Sequence, residues 1–151
     1  MMRTRSIHST LLLLLMGCGV WLAKYHPRPI AGQDAVEEPL NVPAYHAIAT
    51  NEALPTILSS RWFHDPIIRN AYAFAASDRK LLYQLPCYCY CDRLHGHKSL
   101  LDCFVDDHGA MCSICLREAA FAQHAKAQGM NVSQIRAAIV RGDWRTSDII
   151  R

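Results

Sequence analysis

No apolar stretch near the start of this sequence is long enough for a membrane-spanning helix, which needs about 20 residues. The apolar run from Leu11 to Ala23 is shorter, and it follows a basic segment that contains Arg3 and Arg5. This order is typical of a secretory signal peptide. The two arginines are not adjacent, so they do not form a twin-arginine signal. We therefore expect export by the general secretion route, with residues 1–17 as the signal peptide.

Basic residues are also too few to form a cluster in the mature chain. The whole chain has a formal charge of +3. Removal of a leader that carries Arg3 and Arg5 and no acid lowers this charge to about +1. Nucleic acid binding requires a concentrated basic surface. We therefore expect no nucleic acid partner.

Three further patterns are absent. There is no internal repeat, and no alternation of apolar and polar residues is long enough to predict a sheet. No nucleophile and base, and no pair of carboxylates, stand out as catalytic groups. The sequence therefore predicts a mainly α protein and favours a function other than hydrolysis.

The leader contains a cysteine in a distinctive setting. Residues 15–18 read Leu-Met-Gly-Cys and resemble a bacterial lipobox, in which the cysteine is acylated. An acylated Cys18 would anchor the protein to a membrane on its extracytoplasmic side, in the cell envelope. The alternative is a chance cysteine in an ordinary signal peptide or in an uncleaved anchor.

Residues 18–60 are predicted to form a linker. Proline recurs there among mixed polar residues, and proline extends and stiffens such a segment. A tether between the lipid anchor and the domain is the first interpretation. The alternative is an extended arm that packs on the domain, with residues 54–58 as its docking point. The prolines are Pro27, Pro29, Pro39, Pro43 and Pro55.

Residues 61–145 are predicted to form one small helical domain with an irregular, cysteine-rich central loop. Asp65 and Pro66 are a helix-start signal, and Asn131 with Gln134 has the pattern of a capping box. Gly129 is typical of a helix end. The predicted helices are Pro66 to Ser77, Lys80 to Leu85, Ser113 to Gln128 and Val132 to Arg141.

The domain contains six cysteines, and in an oxidising compartment an even number first indicates a disulfide framework. If residues 87–91 are extended, neighbouring sulfurs on one face lie about 7 Å apart, which is too far for a disulfide between them. Each would then pair with a cysteine farther along the chain. The six are Cys87, Cys89, Cys91, Cys103, Cys112 and Cys115.

The same cysteines also suit a soft metal ion. Zinc takes four thiolate or imidazole ligands, and a small Cu(I) cluster can use all six thiolates. Three histidines lie close by in the sequence and are candidate ligands, although each can also be an ordinary surface or packing residue. They are His95, His97 and His108.

A third interpretation concerns the CxxC pair at Cys112 and Cys115. A cysteine at a helix N-terminus has a lowered pKa and increased reactivity, as a thiol–disulfide oxidoreductase requires. The βαβ pattern of a thioredoxin-like fold is absent, however. No histidine follows Cys115, which excludes c-type haem attachment.

Residues 86–91 read PCYCYC, and the sequence from Ala53 to about residue 143 resembles the bacterial family of PCYCGC-motif proteins. The resemblance includes residues 97–104, His108 and the pair at residues 112–115. Many members are predicted lipoproteins, and the family has no established function. The resemblance implies an exported, metal-associated domain and no known catalytic residue.

One position departs from the family motif. Tyr90 stands where the family name has glycine. If that glycine serves a turn with positive φ, Tyr90 strains the turn. Taken together, the sequence favours an envelope lipoprotein that binds copper or zinc and exchanges it with another envelope protein. The alternatives are a disulfide-stapled interaction domain and, third, an oxidoreductase that uses Cys112.

Overall fold

The computed structural model describes residues 41–146. The predicted signal peptide, Cys18 and residues 18–40 of the linker lie outside the described residues. The described part is built from helices and contains no β-strand, which confirms the prediction of a mainly α fold. The helices are α1 (Pro66–Ser77), α2 (Arg79–Leu82), α3 (Cys91–Leu94), α4 (Ser113–Ala127) and α5 (Val132–Arg141). Short 3-10 helices lie at Ser60–Trp62, Leu100–Phe104, His108–Met111 and Asp143–Arg145.

Helix α1 begins where the sequence predicts. The Asp65 carboxylate accepts hydrogen bonds from the backbone N–H groups of Ile67 and Ile68, at 2.7 and 3.4 Å. Pro66 occupies the first helical position, where a backbone donor is not needed. The buried face of the helix consists of Ala71, Tyr72, Phe74 and Ala75.

Helix α2 is shorter than predicted. The expected helix from Lys80 to Leu85 ends at Leu82, and the chain then turns towards Pro86. Gln84 N–H and Leu85 N–H donate to the carbonyls three residues back, at 2.9 and 3.2 Å, so the last turn is tighter than an α-helix. Leu85 precedes Pro86, a position that disfavours the helical conformation, and its carbonyl accepts a hydrogen bond of 2.8 Å from Leu100 N–H.

Helices α4 and α5 follow the predicted boundaries closely. Helix α4 ends at Ala127, and Gly129 follows it with a φ of +84°, the left-handed conformation that glycine adopts without strain. Helix α5 starts with a complete capping box between Asn131 and Gln134. Gly142, with a φ of +87°, ends it.

The core lies between α1, α4, α5 and the 3-10 helix Leu100–Phe104. The Tyr72 and Phe104 rings meet edge to face with centroids 5.0 Å apart, and both side chains are fully buried. Burial of an aromatic side chain of this size stabilises a fold by about 1.5–3 kcal/mol. Cys103 and Cys115 are also fully buried. Cys103 and Cys115 are therefore part of the core, whereas Cys89 and Cys112 are only partly buried.

Residues 41–60 pack against the domain. Ile57 is buried, and Leu58 N–H donates a hydrogen bond of 3.0 Å to the Phe104 carbonyl. The His46 ring stacks on Tyr83 at 3.8 Å. These contacts favour the interpretation of residues 41–60 as a packed arm, docked within residues 54–58. The division of the chain at residues 17 and 60 stays a prediction.

Between residues 41 and 146, no helix combines the length and the apolar composition needed to cross a bilayer.

Candidate metal centre

The segment from Cys87 to Cys91 is a turn followed by a helix, so the condition of an extended segment, on which the argument against neighbouring disulfides depends, does not hold. Tyr90 N–H donates a hydrogen bond of 3.2 Å to the Cys87 carbonyl, and Tyr90 adopts the left-handed conformation, with φ of 57° and ψ of 30°. The next residue, Cys91, starts helix α3. This curled path brings Cys89 Sγ to 3.3 Å from Cys87 Sγ and to 3.0 Å from Cys91 Sγ.

Two more sulfurs reach the same point from other elements. Cys103 lies on the 3-10 helix Leu100–Phe104, with its sulfur 3.4 Å from Cys91 Sγ. Cys115 lies in the first turn of α4, with its sulfur 3.5 Å from Cys87 Sγ and 3.6 Å from Cys89 Sγ. We call these five residues the sulfur cluster. All six described cysteines of the domain are free, and none is at disulfide distance from another.

Histidines form one side of the sulfur cluster. His97 Nδ1 lies 3.4 Å from Cys103 Sγ. The rings of His97 and His108 are 5.1 Å apart between centroids, and the rings of His95 and His108 are 4.9 Å apart. The three imidazoles that the sequence singled out therefore lie together beside the thiols.

His108 is held in place by a close approach between two short helices. Gly109 packs against the Cys103 carbonyl, and a Cβ at this position would lie only 2.7 Å from that oxygen. The Tyr72 hydroxyl donates a hydrogen bond of 2.7 Å to the Asp106 carbonyl and accepts one of 3.1 Å from Ala110 N–H. Glycine and tyrosine together thus fix the loop that carries His108.

Three overlapping groups of these side chains are suited to hold a metal ion, because the ligand atoms within each group lie within 4.8 Å of one another. The clustered thiols and imidazoles can therefore hold a metal. Cys112 and His95 belong to none of the groups, and their role as ligands stays a prediction. The groups are Cys87, Cys89, Cys91 and Cys103; Cys89, Cys103, His108 and Cys115; and Cys91, His97, Cys103 and His108.

The PCYCYC segment identifies the family of this chain. A profile of the family described as "Protein of unknown function with PCYCGC motif" matches residues 10–143. The chain belongs to the PCYCGC-motif family. No curated protein and no solved structure matches the chain. Tyr90 therefore occupies, in the left-handed conformation, the position that is glycine in the family motif.

The thiols of this PCYCGC domain have different pKa values, so that some of them ionise more readily than others. Hydrogen bonding from Cys103 and Cys87 lowers the pKa of Cys91 to about 3. Hydrogen bonds with Cys103 and other neighbours also lower the pKa of Cys89. Hydrogen bonding with Cys103 raises the pKa of Cys87, and hydrogen bonding with Cys115 raises the pKa of Cys103. The physical cause is that a retained S–H group stabilises a neighbouring thiolate by donating to it. A metal ion that replaces these protons completes the ionisation.

Glu118 was not predicted as a site residue, although its side chain contacts the cysteine turn. Its side chain is fully buried, and Oε1 accepts a hydrogen bond of 3.0 Å from Tyr88 N–H. Oε2 is buried with no hydrogen-bond partner among the described residues. Burial raises the pKa of the Glu118 carboxyl to about 8. Its position three residues after Cys115 could have identified it from the sequence, because this spacing places both side chains on one face of α4.

An open cleft of about 570 Å³ leads from solvent to the sulfur cluster. Met111 and Leu94 stand on its rim and are 86% and 83% exposed. Cys112 lines the cleft and precedes helix α4 as its N-cap residue. The lining includes Cys89, Cys91, His95, His108, Met111 and Cys112.

Cys112 does not have the property that the oxidoreductase interpretation requires. Burial raises the pKa of the Cys112 thiol to about 11. The expected effect of a helix N-terminus is in the opposite direction. At neutral pH this thiol is protonated and is a poor nucleophile.

Proposed function

We propose that this protein is an exported lipoprotein of the cell envelope that binds a soft metal ion, copper or zinc, through its clustered cysteines and adjacent histidines. One observation carries the proposal. Five thiols from the PCYCYC turn, the 3-10 helix Leu100–Phe104 and helix α4 meet at one point, with His97 and His108 within ligand distance of that point.

The spacing of the sulfurs suits a metal ion. A zinc–sulfur bond of about 2.3 Å in a tetrahedral site separates neighbouring sulfurs by about 3.8 Å. The sulfurs of the cluster are 3.0–3.6 Å apart where they touch. A bound ion therefore requires neighbouring sulfurs to separate by about 0.2–0.8 Å, with the largest change between Cys89 and Cys91.

The ligand chemistry favours soft metals. Thiolates select Cu(I) and zinc, whereas calcium and magnesium prefer oxygen ligands. Imidazoles suit both copper and zinc. One zinc ion is satisfied by any one of the three groups, while a small cluster of Cu(I) ions can use all of the thiolates.

The arrangement is a poor fit to a disulfide framework. Cys89 Sγ lies 3.0 Å from Cys91, 3.3 Å from Cys87 and 3.6 Å from Cys115. A framework gives each sulfur one partner at about 2.05 Å. In the structure one sulfur has three near neighbours, as in a metal–thiolate site.

The location and partners follow from the sequence. An acylated Cys18 holds the protein on the extracytoplasmic side of a membrane. There the open cleft, which Cys89, Cys91 and Cys112 line, gives access to a second envelope protein that delivers or receives the ion. This part is tested by labelling cells with palmitate: incorporation is expected in the wild-type protein and lost in Cys18→Ser.

The metal proposal is tested by purifying the full chain under anaerobic, reducing conditions and measuring bound copper and zinc together with accessible thiols. Bound metal and protected thiols are expected in the wild type. A Cys89→Ser, Cys103→Ser double variant should lose the metal. Cys112→Ser tests the remaining predicted cysteine ligand: because Cys112 lies outside the three groups, the metal should be retained, and its loss would add Cys112 to the ligands. Six oxidised sulfurs without metal would contradict the proposal and support a disulfide-stapled interaction domain.

A further inference from the structure

The three ligand groups share members, and one residue is common to all of them. Cys103 belongs to the group made only of cysteines, to the group that includes Cys115, and to the group that includes His97. Together the groups contain more side chains than one ion can bind, since zinc takes four ligands. A single ion therefore leaves some of the converging ligands unused.

Cys103 occupies the boundary between the sulfur-rich and histidine-rich sides of the site. Its sulfur is 3.4 Å from Cys91 Sγ on one side and 3.4 Å from His97 Nδ1 on the other. The side chain is fully buried. The 3-10 helix that carries it is fixed by the hydrogen bond from Leu100 N–H to the Leu85 carbonyl. A thiolate here faces two sets of ligands.

Charge also favours more than one ion. Four thiolates on Zn²⁺, or three on Cu⁺, leave about two uncompensated negative charges, which are costly in a buried site. A thiolate sulfur has more than one lone pair and can bind two cations. A second ion that shares a thiolate with the first neutralises this charge and lets further buried thiols release their protons.

We infer that the site holds at least two soft metal ions and that the Cys103 thiolate bridges them. One ion is held mainly by sulfur, with Cys87, Cys89 and Cys91. The other is held by His97 and His108, and Cys91, which belongs to both of these groups, can be shared with the first ion. This inference rests on the proposed function, because it concerns the same site and the same metals.

The stoichiometry is tested by native mass spectrometry of the reduced full chain, titrated anaerobically with Zn²⁺ and, in a separate experiment, with a Cu(I)–acetonitrile complex. At least two ions per chain are expected with one of these metals. Saturation at one ion with both metals would overturn the inference and leave the proposed function intact. Binding of neither metal would overturn the proposed function itself.

The bridge is tested by comparing two buried cysteines. Cys87→Ser removes a ligand from one group, and Cys103→Ser removes a ligand from all three. We expect Cys87→Ser to lose one ion at most and Cys103→Ser to lose more. His97→Gln should lose the ion of the histidine side alone. Equal losses in Cys87→Ser and Cys103→Ser would overturn the bridging role.

A measurement on the wild-type protein keeps the test independent of whether the variants fold. X-ray absorption of the fully loaded protein should show a metal–metal scattering shell, because ions that share a thiolate lie close together. A spectrum with sulfur and nitrogen neighbours but no metal neighbour would overturn the bridge.

Discussion

The backbone N–H of Tyr88 donates a hydrogen bond of 3.0 Å to Glu118 Oε1, so a buried carboxyl group ties the cysteine turn to helix α4. The second oxygen, Oε2, is buried and has no hydrogen-bond partner among the described residues. An ionised carboxylate in such a place is costly. The protonated form is therefore favoured at neutral pH, in agreement with the raised pKa of about 8.

Glu118 should make the stability of the metal-free protein depend on pH. Because its folded-state pKa of about 8 lies above the ordinary value of 4.5, the folded protein keeps a proton that the unfolded chain releases. The contribution of Glu118 to stability is complete below pH 4.5 and is lost as the pH rises through 8. Within this window the free energy of unfolding falls by about 1.4 kcal/mol per pH unit from this group.

The thiols titrate as well, so the effect of Glu118 is isolated by a variant. Glu118→Gln keeps an oxygen that accepts from Tyr88 N–H and removes the titration. Urea unfolding of both reduced proteins between pH 5 and 8 should show the wild type losing stability relative to Glu118→Gln as the pH rises. Parallel curves would contradict the assignment.

The left-handed conformation of Tyr90 should cost stability. For residues with a Cβ this conformation costs roughly 1–2 kcal/mol, and glycine adopts it freely. Replacing Tyr90 also removes its ring, which packs edge to face on Tyr88 and under Arg93. Tyr90→Gly and Tyr90→Ala both lose the ring, so their difference reports the backbone alone. We expect Tyr90→Gly to be about 1 kcal/mol more stable than Tyr90→Ala in chemical unfolding. Equal stabilities would show that the turn is not strained.

The helix boundaries show which parts of the fold can be predicted from the local sequence. The starts of α1 and α5 were predicted because Asp65 and Asn131 cap residues two or three positions away, an interaction that the local sequence encodes. The end of α2 was predicted three residues too late, because a last turn with i to i−3 hydrogen bonds has nearly the same apolar spacing as an α-helix.

The sequence predicts which residues form the candidate site, but it does not predict how they are arranged in space. The six cysteines and three histidines were identified from their types and spacing, and the structure brings most of them together. The compact turn at Cys87 to Cys91 was raised only as an alternative, because it needs a positive φ at Tyr90, a conformation that a tyrosine rarely adopts. Glu118 was missed because an acidic residue in a helix is usually exposed.

The Tyr72 hydroxyl should support metal binding from a distance by ordering the loop of His108. Tyr72→Phe leaves the Asp106 carbonyl and the Ala110 N–H without their hydrogen-bond partner, at a cost of about 1–3 kcal/mol. We expect lower stability and weaker metal affinity, measured by competition with a chelator. Tyr83→Phe is the matched control, since it keeps the ring that stacks on His46. Unchanged affinity in Tyr72→Phe would show that the hydroxyl does not position His108.

Cys112 should be unreactive at neutral pH. Its thiol has a pKa raised to about 11 by burial, and only the thiolate reacts with iodoacetamide. We expect slow alkylation of Cys112 in the reduced, metal-free protein at pH 7.5, increasing about tenfold per pH unit up to pH 10. Peptide mapping by mass spectrometry measures the rate. A half-maximal rate below pH 8 would restore the oxidoreductase interpretation.

The thioether of Met111 should assist the entry of copper and not of zinc. Met111 is 86% exposed on the rim of the cleft that leads to the sulfur cluster, and thioethers bind Cu(I) in preference to zinc. Met111→Leu keeps the apolar volume and removes the sulfur. We expect transfer of Cu(I) from a chelator complex to become several-fold slower in stopped-flow measurements, with the same final stoichiometry, while zinc loading is unchanged.

Met130→Leu provides the control for that experiment. Met130 follows the C-terminal end of α4, about 20 Å along the helix from the cysteines at its start. Met130→Leu also removes one thioether from the chain, but it leaves the rim of the cleft unchanged. Both loading rates should remain at the wild-type value. Two outcomes would contradict the prediction: equal slowing in the two variants, or slowing of both zinc and copper loading in Met111→Leu. Either would show that the Met111 thioether does not bind copper on the entry route.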